Sequence, residues 1–97
     1  MSEVVQKEQW VWVVVQDPGD NEQFLGQQDR ERNESFIPVF LEKEEAQQGL
    51  SHLVRGEGHT YEVQAIRFDD LEQRAAEHGF LLVVLSGSGT VLERITP

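Results

Sequence analysis

His52, His59 and His78 are the only imidazoles in the chain, and there is no cysteine. Zinc sites draw on closely spaced ligands, such as two histidines one helical turn apart or a short Cys-x-x-Cys run. No pair of these histidines has such spacing. His52 falls near a predicted helix end, and His78 precedes Gly79, where a cation complements the negative end of a helix dipole. Surface or capping roles account for all three, and neither a metal nor another cofactor is expected. Ser86-Gly87-Ser88-Gly89 follows an apolar strand and superficially resembles a nucleophile elbow. It lacks the G-x-S-x-G pattern, and Thr90-Val91-Leu92 reads as strand where an elbow needs a helix. A hairpin turn is the expectation. The same run has neither the Lys nor the helix of a P-loop, and Gly19, Gly26 and Gly49 fit no dinucleotide fingerprint.

Carboxylates are abundant, with 18 Asp and Glu against 8 Lys and Arg. Glu44/Glu45 and Asp69/Asp70 both fall at predicted helix starts, where negative charge suits the dipole without any chemistry. Asp17, Asp20 and Glu22 begin like a calcium loop but lack its spacing and its closing Glu. A solvated turn is the reading, and no catalytic residue is assigned.

The element around which the chain is organised is Trp10-Val11-Trp12-Val13-Val14-Val15. Strand side chains alternate between faces, so Trp10, Trp12 and Val14 share one and Val11, Val13 and Val15 the other. Both are apolar, as in a central strand covered on two sides. Asp17-Pro18-Gly19-Asp20 ends it in a turn. Glu22–Gln28 reads as a short returning strand, and Asp29–Ser35 as a charged mobile loop. Ser35–Leu41 is a second apolar strand, in which Pro38 requires a bulge, a strand start or an unpaired edge. A helix follows, with Glu42, Glu44 and Glu45 in its first turn and a stripe of Ala46, Leu50, Leu53 and Val54. Gly49 weakens it and Gly56 ends it.

His59–Ile66 alternates, with Tyr61, Val63 and Ala65 on one side of a half-exposed strand. Asp69 and Glu72 match a capping box, Leu71, Ala75 and Ala76 form the buried stripe of a second helix, and Gly79 stops it. Phe80–Leu85 is a third apolar strand, joined by a hairpin to Thr90–Ile95. The fold class is α+β: a mixed sheet of about five to six strands with two helices, in the order β-β-β-α-β-α-β-β.

Phe36-Ile37-Pro38-Val39-Phe40-Leu41-Glu42-Lys43-Glu44-Glu45-Ala46 resembles the IPVF-x-x-x-E-x-A segment of SseB-like domains, small bacterial domains named for enhanced serine sensitivity. The order of elements over residues 10–95 is similar too. The chain differs at Leu41 and Glu42, where the family carries Thr or Ser, and lacks an Asn-Pro pair at Leu85-Ser86. The resemblance implies a mixed α+β domain with no established enzymatic activity and no catalytic residues to transfer.

Ninety-seven residues suffice for one domain, expected over residues 9–97 behind a loose polar arm at 1–8. A chain of this length buries only roughly 60–65% of its extended surface. No apolar run approaches the ~20 residues of a membrane span, and no signal peptide is recognisable at the start. A cytoplasmic setting is the expectation. The net charge of −10 argues against nucleic acid and against anionic membranes, since phosphate neutralisation needs clustered Lys and Arg. Solubility, a basic partner or a nucleic-acid decoy would each use that charge.

Two short helices leave apolar sheet surface over. Trp10, Trp12, Phe36 and Phe40 are the candidates to line it, and such patches mark interaction sites. The expectation is a non-enzymatic interaction or regulatory domain that binds a protein partner or a second copy of itself. The alternative is a small-molecule sensor or weak enzyme with a cleft beside Tyr61, His59 and the 29–35 loop.

Overall fold

Trp10–Gln16 forms β1, whose four valines are buried while Trp12 is half-buried and Trp10 exposed, so the expected cover on both faces is incomplete at its start. The computed structural model describes residues 5–97. Its further strands are β2 (Gln23–Phe24), β3 (Gln27–Asp29), β4 (Glu34–Val39), β5 (Tyr61–Arg67), β6 (Leu81–Leu85) and β7 (Val91–Ile95). The helices are α1 (Lys43–Gly49), continued by a 3₁₀ turn at Leu50–His52, and α2 (Phe68–His78). The chain is an α+β fold in two sheets of order β2-β1-β5 and β3-β4-β6-β7. The first is antiparallel throughout, and the second contains the parallel pair β4–β6.

The sheets meet edge to edge at one residue pair. Trp12 N–H donates to the Phe40 carbonyl (2.8 Å), and Phe40 N–H donates back to the Trp12 carbonyl (2.9 Å). The segment expected as one returning strand is split in two by this junction. β2 pairs with β1 at Val15 and Gln16, whereas β3 pairs with β4 at Phe36, Ser35 and Glu34. The crossing occurs at Leu25-Gly26, where a Cβ on Gly26 would lie 3.0 Å from the Phe80 ring. Pro38 faces the resulting gap. Phe40 points its N–H and C=O toward β1, so by alternation position 38 points the same way, between the Trp12–Phe40 bridge and the Gln27–Phe36 pair at the start of β3. An unpaired edge is where a proline belongs.

The helices cover opposite faces. Val11, Val13 and Val15 join Ile37, Val39, Leu82 and Val84 beneath Phe68, Leu71 and Ala75 of α2. On the other side Phe40, Val83 and Leu85 pack with Ala46 of α1, flanked by Trp12, Phe36, Leu53 and Val63. Burying each larger side chain contributes about 1.5–3 kcal/mol.

Three helix details depart from expectation. α1 is shorter, because the chain tightens into the 3₁₀ turn after Gly49, so Val54 lies outside the helix and is 80% exposed. Ala76 is exposed as well. The stripe of α2 is Phe68, Leu71 and Ala75, because the helix begins at Phe68. Asp69 therefore caps nothing as an N-cap residue; Arg67 holds that position without a side-chain bond. Backbone carbonyls of Gln9 and Lys7 accept from Phe68 N–H (2.8 Å) and Asp69 N–H (2.9 Å) instead. Those carbonyls, with Val5 in the core, anchor the part of the expected loose arm that lies within the described residues; positions 1–4 lie outside them. The stop at Gly79 is as expected. It is left-handed (φ 74°), and Gly79 and Phe80 N–H close on Ala76 and Ala75 carbonyls.

Gly49 has a reason that the sequence does not reveal. A Cβ there would sit 2.3 Å from Cε1 of the buried Phe40 ring. Gly49→Ala is therefore expected to destabilise by about 1–3 kcal/mol through overpacking, although alanine is the better helix former. Urea denaturation checks this; equal or higher stability would show that Phe40 is not clamped as described.

Candidate functional site

The α1 side of the sheets is where apolar surface and open space coincide. Alternation puts Trp10, Trp12 and Val14 of β1 on this side, opposite Arg67, Ala65 and Val63 of β5. α1 spans only Lys43–Gly49 and seals the middle, over Phe40. The surface is left open to either side of it.

At one end stand the tryptophans. Trp10 is 60% exposed, whereas Trp12 is half-buried against the Phe40 cluster. The Lys43 ammonium, in the first turn of α1, lies 5.7 Å from the Trp12 ring centroid, a distance at which a cation is drawn to the ring face. Trp12 is thus part of the joint between the sheets and Trp10 part of the surface. Of the four residues expected to form an interaction patch, Phe40 is wholly buried and belongs to the core. Phe36 is half-buried, on the far side of α1 from the tryptophans. The structure therefore does not bring the four into one exposed surface.

At the other end is a cleft of about 530 Å³. Phe36, Val83, Leu85 and Val91 form its apolar floor, with His52 and Leu53 on one wall and Asp29, Arg30 and Arg94 on the other. Arg94 Nη2 donates to Glu34 Oε1 (2.5 Å), and Nη1 lies 3.6 Å from Asp29 Oδ2. Asp29 Oδ1 also accepts from the N–H groups of Glu31 and Arg32 (3.1 and 3.3 Å). The charged stretch after Gln28 is thus a closed hairpin turn and not an open loop, since one carboxylate organises both its backbone and its ion pair. Gln27 fixes the opposite wall. Its side chain donates to the Val54 carbonyl and accepts from Val54 N–H, both at 2.8 Å.

Tyr61 and His59 are elsewhere. Tyr61 begins β5 in the other sheet, and its hydroxyl both donates to the Gly56 carbonyl (3.0 Å) and accepts from Gly56 N–H (2.8 Å). His59 Nδ1 lies 2.7 Å from Asp17 Oδ2. Neither lines the cleft that Asp29 borders. The two halves of the expected sensor site are therefore separate.

Asp17 also stands in organised surroundings. It holds a left-handed conformation (φ 53°) after β1, and its carboxylate also accepts from Thr60 N–H (3.1 Å). The bond to His59, reinforced by the one from Thr60, holds its carboxyl below the usual carboxylate range. Arg67 does the same for Asp69 at the start of α2. Both arrangements tie segments together, and neither faces a cavity. Among the described residues no group of three or more His, Asp or Glu side chains could hold a metal ion, and no helix is long and apolar enough to cross a membrane. A second concavity, of about 740 Å³, lies on the α2 side between Phe24, Ile66 and Phe80. Arg74 partly closes it, its guanidinium 6.0 Å from the Phe24 ring centroid.

The depressed carboxyl of Asp17 has a definite consequence for stability. A group whose folded pKa is lowered contributes stability above its unfolded value, model 3.8, and loses it as pH falls through the folded value. Wild type is expected to melt above Asp17→Asn at about pH 6, with the gap closing as the pH falls below the ordinary carboxylate range. A gap in melting temperature that stays constant through that fall would mean that the ionised carboxylate is not what matters. Compared with known proteins, the chain matches no family model, no curated protein and no solved structure.

Proposed function

We propose that this chain is a non-enzymatic protein-interaction domain that docks through the Trp10 end of its α1-side face. The observation that carries this reading is Trp10 itself. A tryptophan 60% exposed on an open sheet face, beside the half-buried Trp12, is the kind of rigid aromatic anchor that interfaces bury. The polar contacts described above support it, since each one is spent on tying strands, turns and helix ends together. The charge of −10 disfavours nucleic acid and anionic lipid as the occupant. The absence of cysteine from the composition fits a cytoplasmic setting. The likeness to SseB-like domains, carried by Ile37–Ala46, rests on sequence alone and implies no more than the lack of an established enzymatic activity.

A second reading takes the cleft at the other end of the face as a small-molecule site. The combination of an apolar floor with Arg94 and His52 at the rim favours it. A ligand there would raise the melting temperature by mass action; silence across a broad metabolite library counts against it.

The primary reading is tested by a photoreactive amino acid placed at Trp10 in cells, with the exposed Gln73 of α2 as a control position. A discrete adduct from position 10 and none from position 73 is expected. No adduct, or equal labelling from both positions, would remove the reading.

A further inference from the structure

We propose that the occupant of this face is a second copy of the chain, joined through the outer edge of β5 in a two-fold dimer with a continuous sheet. This rests on the interaction reading above and names its partner. β5 is the outer strand of its sheet and pairs with β1 along its whole length, Tyr61–Arg67. The other exposed edges are poor templates: β2 and β3 have two and three residues, and the β6–β7 ladder is broken by a register shift between Val84 and Leu85. β5 has no proline, glycine, lysine or bulge, and its only charged residues are Glu62 and Arg67.

The groups that β5 presents follow from the ladder. Trp12 turns its N–H and C=O to Phe40, and the Val14 carbonyl accepts from Leu25 N–H, both away from β5. Trp12–Ala65 and Val14–Val63 are therefore non-hydrogen-bonded pairs, so Ala65 and Val63 point their own N–H and C=O outward. By the same alternation Tyr61 and Arg67 do so too. A two-fold axis perpendicular to the sheet keeps the α1 side of both copies together. Centred on Gln64, it sets Val63 opposite Ala65 and Tyr61 opposite Arg67, so that every outward N–H and C=O meets a partner. On the reverse side Gln64 faces itself and Glu62 faces Ile66. No like charges meet, although the chain carries −10 overall. Slipped registers leave outward groups unpaired, and further slips bring Glu62 onto Glu62 or Arg67 onto Arg67. The centred register also extends the row Trp10–Arg67 to the tyrosine of the other copy, while the Arg67 guanidinium keeps its bond to Asp69.

Sedimentation equilibrium from micromolar to millimolar concentration, with amide exchange followed by NMR across the same range, tests this. The mass is expected to rise from 11.1 kDa to twice that value, with the amides of Val63 and Ala65 becoming protected as it does. Ala65→Pro removes one outward N–H and leaves the β1 ladder intact. It is expected to weaken association more than about tenfold while Gln64 and Ile66 amides stay protected. The wild-type exchange data decide the matter even if that variant does not fold. A wild type that stays at the monomer mass overturns the proposal, as does a dimer whose Val63 and Ala65 amides still exchange freely, or a folded Ala65→Pro that dimerises as well as wild type. A monomer that nevertheless cross-links from Trp10 to a different protein removes the second copy and leaves the interaction domain standing.

Discussion

One pair of backbone hydrogen bonds, between Trp12 and Phe40, determines how the rest of the chain is arranged. Without it, no ladder hydrogen bond would join β2-β1-β5 to β3-β4-β6-β7, and the two would be held together by the shared core alone. With it, β1 continues the surface of β4 and β6, and both helices find a face wide enough to cover. The geometry near the bridge follows from the same constraint. β1 and β4 diverge from it, Pro38 sits in the opening, and the 23–29 segment spans it by changing strands at Gly26. Phe40 is held from both sides, its backbone by Trp12 and its ring by the missing side chain of Gly49.

That joint also divides the molecule into a closed side and an open one. α2 is long enough to bury a stripe of three residues and to seal Val11, Val13 and Val15 together with the strands of the second sheet. α1 is two turns long and is spent on Phe40. The surface beyond it, with Trp10 at one end and the Phe36 cleft at the other, is what the fold leaves uncovered. Edge strand β5 borders the Trp10 end, so an aromatic side chain and a row of unpaired backbone groups lie together. This coincidence gives the proposed interface both area and direction, since burial supplies attraction and ladder pairing fixes register.

Much of the architecture is legible in the sequence because it depends on local patterns. The two-faced strand at Trp10–Val15, the strand after Gly79, the terminal hairpin and the glycine stop each follow from neighbouring residues. The misreadings have long-range causes. Leu53 and Val54 continue the helical stripe in sequence, but Gln27, from β3, holds the Val54 backbone outside the helix. Asp69 looks like an N-cap, but Gln9 and Lys7 provide the caps from the other end of the chain. The 22–28 segment reads as one strand because nothing local signals that its two halves serve different partners. The same limit applies to the surface. Trp10, Trp12, Phe36 and Phe40 are equally apolar as letters, and only the position of α1 separates the buried Phe40 from the exposed Trp10. The pairing of Asp17 with His59, and of Lys43 with Trp12, leaves no mark that spacing could reveal.

The division of roles between the two tryptophans is the claim on which the rest turns. It is tested most directly by fluorine NMR of the chain labelled with 5-fluorotryptophan, at low concentration, with a soluble paramagnetic quencher. The Trp10 resonance should broaden strongly while that of Trp12, set in the joint beneath Lys43, broadens much less. Equal broadening would mean that the sheets are not joined at Trp12 as described. Equal protection would mean that Trp10 is already covered by its own chain, and the open face would not exist.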